Sequence, residues 1–188
     1  MPIILLILVA FLISPVVADE NETNVLIVYY SMTGNTEKMA QAVAEGVRSV
    51  EGAAAVIKTT DEVVKNDLIR ADGIILGSPS YYANVATPMK EFIDKWYFEY
   101  ELSLFDKVGG AFCSGGSRTG GQELVVISML MAMMNNGMII AGPLYEAWGT
   151  FGATSMTDTE PHDGVDDYEL NDSRLLGERI AQVAKRIQ

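Results

Sequence analysis

From Val25 onward, short apolar runs alternate with helix-length amphipathic stretches. "VLIVYY" (25–30) is continuous and apolar over a strand's length, the pattern of a strand buried on both faces. Residues 37–50 then place Met39, Val43, Val47 and Val50 on one helical face. "AAAVIK" (53–58) reads as a second strand, residues 61–71 as a short helix or helical turn, and "GIILGS" (73–78) as a third strand. In "PMKEFIDKWYFEY", Pro88 suits a first helical turn. "KVGGAFCS" (107–114) is a fourth strand and "MIIAG" (138–142) a fifth. Between them "QELVVISMLMAMMNN" forms a helix stopped by Gly137. Ile127, Leu130, Met131 and Met134 are expected to face the core there, with Met129 and Met133 left for a contact between copies. A last helix carries Leu176, Ile180, Val183 and Ile187 at helical spacing. Parallel strands need helical crossovers, so this alternation predicts a parallel sheet covered on both faces.

In such a sheet the ligand crevice lies at the carboxyl ends of the strands, where strand order reverses. Three loops rich in Gly, Ser, Thr or Asn follow apolar strands and should meet there. "SMTGNT" offers hydroxyls at Ser31, Thr33 and Thr36, the Asn35 amide and a flexible Gly34, beside Met32, all at the start of a helix. Unpaired N–H groups and about half a positive charge of helix dipole stand at such an end. With no lysine or arginine in it, the loop suits a terminal monophosphate, and the Walker pattern of a nucleotide triphosphatase is absent. A simple capped turn is the other reading. "SPSYYANVATP" brings Pro79, Ser80, Tyr81, Tyr82 and Asn84, where the tyrosines either stack on a flat heterocycle or pack on neighbouring loops. "CSGGSRTGGQE" has four glycines in eleven residues, letting the backbone approach a ligand closely.

Composition closes several alternatives. The 188-residue chain carries a formal net charge of −12, which argues against nucleic acid as a partner. Its single cysteine excludes an intramolecular disulfide, and its single histidine, His162, excludes a two-histidine zinc site. Four residues separate Cys113 from Arg118, one too few for the loop of a cysteine-dependent phosphatase. Cys113 reads instead as a small buried hydrophobe. The acidic loop around His162 lacks calcium-binding spacing and reads as solvated. No metal site is expected.

Residues 1–18, "MPIILLILVAFLISPVVA", stand apart, with no charge and an unbroken apolar run from Ile3 to Ile13. They read as a signal peptide or N-terminal anchor preceding a domain at 24–188. The chain would then be exported or membrane-associated, touching a membrane only through this segment. A misplaced start codon on a cytoplasmic protein is the alternative.

The segments "VLIVYYSMTGNTEKMAQAVAEGV", "GSPSYYANVATPMKEFIDKW", "GGAFCSGGSRTGGQELVVISMLMAMMNNGMIIAGP" and "GTFGATS" together resemble the flavodoxin-like superfamily, and within it the WrbA-type NAD(P)H:quinone oxidoreductases. The resemblance implies an α/β flavodoxin-like fold, a doubly wound five-stranded parallel sheet of order 2-1-3-4-5 with helices on both faces. It further implies non-covalent FMN, with NAD(P)H as reductant and a quinone-like electron acceptor. Ser31, Met32, Thr33, Gly34, Asn35 and Thr36 would hold the phosphate. Pro79, Ser80, Tyr81, Tyr82 and Asn84 would border the isoalloxazine, and Ser114, Gly115, Gly116, Ser117, Arg118, Thr119, Gly120 and Gly121 would wrap its other side. Thr33, Trp96 and Asn136 would meet the substrates, Asn136 standing where relatives often carry histidine. Two electrons would move in a ping-pong cycle with no side-chain nucleophile. The short Thr59–Asp72 segment departs from that family, whose members often carry an insertion there and assemble as homo-oligomers. A flavodoxin-type electron carrier without turnover is the alternative reading.

Overall fold

The computed structural model describes residues 22–144, 151–159 and 162–188. The leader at 1–18 and the start of "GTFGATS" therefore lie outside the described residues. The chain runs β1 (Thr23–Tyr29), α1 (Asn35–Arg48), β2 (Ala53–Thr59), α2 (Lys65–Arg70), β3 (Gly73–Tyr81), β4 (Asn84–Val85), α3 (Thr87–Phe98), β5 (Val108–Gly115), α4 (Gln122–Asn135), β6 (Ile139–Ile140), β7 (Ala153–Met156), β8 (Asp158–Thr159), β9 (His162–Asp163) and α5 (Asp167–Ile187). The main sheet has the order β2-β1-β3-β5-β6, all parallel. Counted across its five successive positions, this is the expected 2-1-3-4-5 arrangement.

Two features refine it. The two-residue strand β4 folds back antiparallel on the end of β3. The fifth position is shared: β6 pairs only with Val108 and Gly109, while β7 takes over beside Phe112–Gly115. Pro143 follows soon after β6, and proline cannot supply a ladder N–H. "ATSM" continues the edge with small and polar residues, so hydrophobic patterning did not reveal it.

Strand alternation divides the core into two layers. Leu26, Val28, Ile74, Leu76 and Cys113 pack with Phe92, Trp96, Val125, Met129 and Met133 of α3 and α4. On the other face, Val25, Ile27, Ile75 and Phe112 pack with Met39, Val43, Val47, Leu176 and Ile180 of α1 and α5. Cys113 is the small buried hydrophobe expected, and burial pushes its thiol pKa far up.

Helix α4 turns a different face inward from the one the sequence suggested. Val125, Val126, Met129, Leu130 and Met133 are buried, whereas Met131 and Met134 are exposed and Ile127 only half-buried. Met129 and Met133 thus belong to the core and cannot serve a contact between copies. Apolar residues surround this helix on nearly every side, so periodicity could not choose the face. The buried stripe starts at Gln122, which is itself buried.

Candidate cofactor-binding site

Loop 31–36 links β1 to α1. Gly34 forms the helix N-cap at φ 89°, a left-handed conformation that favours glycine, and no side chain caps the helix. Ser31 Oγ accepts from Gly34 N at 3.1 Å, and Asn35 Nδ2 donates to Thr33 Oγ1 at 3.4 Å. A Cβ at Gly34 would meet nothing within 4 Å. The helix therefore opens toward a space ringed by short polar side chains. Thr36 is buried, while Met32 and Thr33 are exposed at the rim.

Loop 78–87 is built on the β3–β4 hairpin, in which Tyr81 pairs with Asn84. Tyr82 and Ala83, its two turn residues, have φ of 52° and 60°. Two such residues make the turn that matches strand twist, at a cost normally avoided by Asn or Gly. Asn84 Nδ2 donates to Tyr82 O at 2.7 Å and steadies this turn. Tyr82 is left fully exposed and Tyr81 partly so. Desolvation, followed by the neighbouring Tyr30, raises the Tyr81 pKa, so its phenol is neutral at pH 7. Pro79 is buried in the strand. Ser78 Oγ accepts from Ala86 N at 3.0 Å, closing the loop's base.

Loop 114–121 joins β5 to α4, and again a left-handed glycine, Gly121 at φ 79°, begins the helix without a side-chain cap. Three direct contacts gather the loops. Thr36 Oγ1 and Ser114 Oγ share a buried hydrogen bond of 2.8 Å, which ties the first loop to the third. Ser80 Oγ donates to Gly120 O at 2.5 Å, which ties the second to the third. Ala83 lies so close to Gly121 that a Cβ there would sit 2.3 Å from the alanine methyl. The three polar loops thus form one crevice at the carboxyl ends of β1, β3 and β5.

Gln122 shapes this crevice and escaped the sequence reading. Its Nε2 donates to Ser117 O at 2.8 Å and to Ser155 O at 3.3 Å, linking the glycine loop to β7. The only sequence signal was a polar residue heading an otherwise apolar helix. Replacing it with Leu leaves both carbonyls without that donor, at roughly 1–3 kcal/mol. Gln122→Leu is expected to lower denaturant stability by that amount and to weaken flavin binding about tenfold, read by urea unfolding and flavin titration.

Other expected residues do not meet here. Trp96 is buried in the last turn of α3, edge-on to Phe92 with centroids 5.8 Å apart. Asn136 follows α4, and its Oδ1 accepts from Leu104 N at 3.1 Å, pinning the segment before β5. Both helices run back from the crevice to the amino end of the sheet. Trp96 and Asn136 therefore cannot contact a substrate held between the loops of their own chain, and that expectation is corrected. Arg118 and Thr119 are exposed, turned toward the outer side of the glycine loop. The side chain of His162 lies outside the described residues, and among those described no cluster of metal-ligating groups occurs.

A cavity of about 780 Å³ lies apart from the crevice. It lies behind the glycine loop, between β7 and the first turns of α4 and α5, and neither of the other two loops lines it. Glu169 stands in it, with Oε1 accepting from Met156 N at 2.6 Å and Oε2 from Asp166 N at 3.1 Å. Burial nonetheless raises the Glu169 pKa, outweighing those bonds. An acidic wall disfavours an anionic group, whereas the uncapped start of α1 favours one, so the crevice is the better cofactor site.

This arrangement agrees with what related proteins show. Residues 23–151 match the family described as NADPH-dependent FMN reductase. The chain belongs to that family. An NAD(P)H dehydrogenase (quinone) from Gluconacetobacter diazotrophicus is 33% identical over 200 aligned positions, covering 88% of this chain and 98% of the relative. A flavodoxin from Aquifex aeolicus is 41% identical over 118 positions, covering 63% of this chain and 64% of its own. Among solved structures, a flavodoxin, WrbA-like protein from Agrobacterium tumefaciens superposes with a TM-score of 0.72 at 25% identity, covering 89% of this chain and 100% of that one. The flavodoxin-like, WrbA-type resemblance read from the motifs is thereby established.

The crevice fits the cofactor that the family's description names. A monophosphate finds unpaired helix N–H groups and neutral hydroxyls at Ser31, Thr33 and Thr36. A flat ring system finds the Tyr81–Tyr82 edge on one side and glycine-rich backbone on the other. The glycines let that backbone pack closely, Gly115 against Gln122 and Gly121 against Ala83.

Proposed function

We propose that this chain is an FMN-dependent oxidoreductase that takes electrons from NAD(P)H and delivers them in pairs, by a ping-pong cycle, to a quinone-like acceptor. The observation that carries this reading is the pair of side-chain bonds, Thr36 to Ser114 and Ser80 to Gly120, which join an uncapped helix start to two ring-binding loops. The names of the relatives sharing 28% to 33% identity over most of the chain point the same way. FMN, when bound, supplies the chemistry of accepting a hydride from nicotinamide and returning two electrons to the acceptor.

The chain's own residues supply position. Ser31, Thr33, Asn35 and Thr36, with the first N–H groups of α1, hold the phosphate without a cationic side chain. Tyr81 and Tyr82 would border the ring system, and the 114–121 loop would supply backbone amides to it. Thr33, exposed at the rim, stands where a nicotinamide nucleotide enters. No nucleophile is required, and Cys113 is sealed within the core.

Steady-state oxidation of NADH and NADPH by FMN-loaded protein, with a benzoquinone acceptor, tests the reading. Turnover with parallel double-reciprocal lines is expected. Tight FMN binding without turnover would instead assign a flavodoxin-type carrier, the second reading, which the Aquifex aeolicus similarity and the short Thr59–Asp72 segment favour. We also propose that residues 1–18 direct the chain to export or hold it at a membrane. The N-terminal mass of protein recovered from fractionated cells tests this: only an intact or cleaved leader in a non-cytoplasmic fraction supports it.

A further inference from the structure

The pole of the domain opposite the crevice carries an unusual surface. Helices α3 and α4 end there, and so does the segment leading into β5. Tyr97 is 76% exposed, Phe98 80%, Phe105 71% and Met134 61%. Tyr97 and Phe98 stand edge-on to each other with centroids 5.2 Å apart. Four large apolar side chains thus stand exposed at this end, two of them in ring contact, whereas a single exposed hydrophobic is ordinary.

A shared cavity and a hydrogen bond link Phe105 to the place where the chain enters the domain. Phe105 shares a small cavity with Ile187 and Gln188, and Gln188 Oε1 accepts from Thr23 Oγ1 at 2.9 Å. Thr23 opens β1. Ala18, the last residue of the uncharged leader, stands only five positions earlier. The domain's first strand is thus entered at the pole that carries the exposed aromatics, a few residues after a leader with an eleven-residue apolar run from Ile3 to Ile13 in the sequence. No helix among the described residues is itself long and apolar enough to cross a membrane.

We propose that this pole rests on the surface of a lipid bilayer, with Tyr97, Phe98, Phe105 and Met134 in the interfacial layer. Tyrosine and phenylalanine suit a boundary that is wet on one side and apolar on the other. Exposed Glu99, Glu101 and Asp106 border the patch, so the surface that fits is zwitterionic rather than anionic. This placement holds the crevice away from the membrane, facing soluble nucleotides. It does not depend on the cofactor reading, because the two poles are read separately.

The test uses the full chain with phosphatidylcholine vesicles. Cys113, the chain's only cysteine, is fully buried, so a thiol-directed fluorophore reports Phe98→Cys at this pole and Asp61→Cys at the opposite end. The Phe98→Cys label is expected to shift to the blue and to be quenched by lipid nitroxides at least about threefold more than the Asp61→Cys label. Adding Tyr97→Ser and Met134→Ser, both at largely exposed positions, is expected to remove that difference while the leader keeps the chain on vesicles and circular dichroism stays unchanged. Phosphatidylglycerol vesicles are expected to quench the label less. Equal quenching at the two positions would overturn the proposal. So would a blue shift that appears without lipid and grows with protein concentration, which would assign the patch to a second copy.

Discussion

Ser31→Glu is expected to weaken FMN binding on the order of 100-fold while changing riboflavin binding only a few-fold. Ser31 Oγ lies within the ring of neutral groups around the uncapped start of α1, accepting from Gly34 N. A carboxylate there faces the phosphate dianion across a few ångströms. One unit charge against another at 4 Å contributes about 4 kcal/mol at an effective dielectric of 20. Solvent screening at the partly open rim reduces this, and about 1.4 kcal/mol corresponds to each tenfold. Riboflavin carries the same ring and ribityl chain without the phosphate, so it escapes the repulsion. Parallel fluorescence titrations of both ligands measure the ratio, and equal losses would mean that the loop does not hold the phosphate.

Gly177→Val is expected to cost about 3–5 kcal/mol, a large share of a domain's total stability. Gly177 of α5 crosses α1 so closely that a Cβ would sit 2.0 Å from Val43 O and 2.9 Å from Val43 C. Both are backbone atoms, so no rotamer change relieves the contact and the helices must part. Gly46 makes the reciprocal contact, with a Cβ position 1.9 Å from Arg174 O. Separation would loosen Leu176 and Ile180 from the core layer they share with Val43 and Val47. Thermal unfolding should show a fall of roughly 6–20 °C, at about 2–4 °C per kcal/mol for a domain of this size. Gly52→Ala is the control: a Cβ there meets only the Lys185 ammonium at 3.4 Å, although the glycine's φ of 74° adds some strain. A loss for Gly177→Val no larger than the control's would contradict the crossing geometry.

Much of the frame was legible because parallel strands buried on both faces leave continuous apolar runs, as 25–30 and 73–78 do. The three crevice loops were legible for a related reason: small polar residues directly after such runs have to lie at the carboxyl edge. What escaped lacked an apolar signature. Strand β7 is "ATSM", recognisable only through its ladder with Phe112–Gly115. The inward face of α4 was ambiguous because methionines lie on both sides of it. Trp96 was expected at the substrate because the family resemblance places an aromatic there, yet it fills the core beside Phe92, with Nε1 unpartnered among the described residues. Its neighbours Tyr97 and Phe98 carry the exposure that Trp96 lacks. Gln122 depends on loop geometry that no local pattern encodes.

The central claim is that the three loops form an FMN site. Titration of the purified full-length chain with FMN, followed by quenching of flavin fluorescence, tests it most directly. The account predicts saturable one-to-one quenching, with FMN bound at least about tenfold more tightly than riboflavin. Flavin fluorescence that stays unchanged through the titration would contradict it.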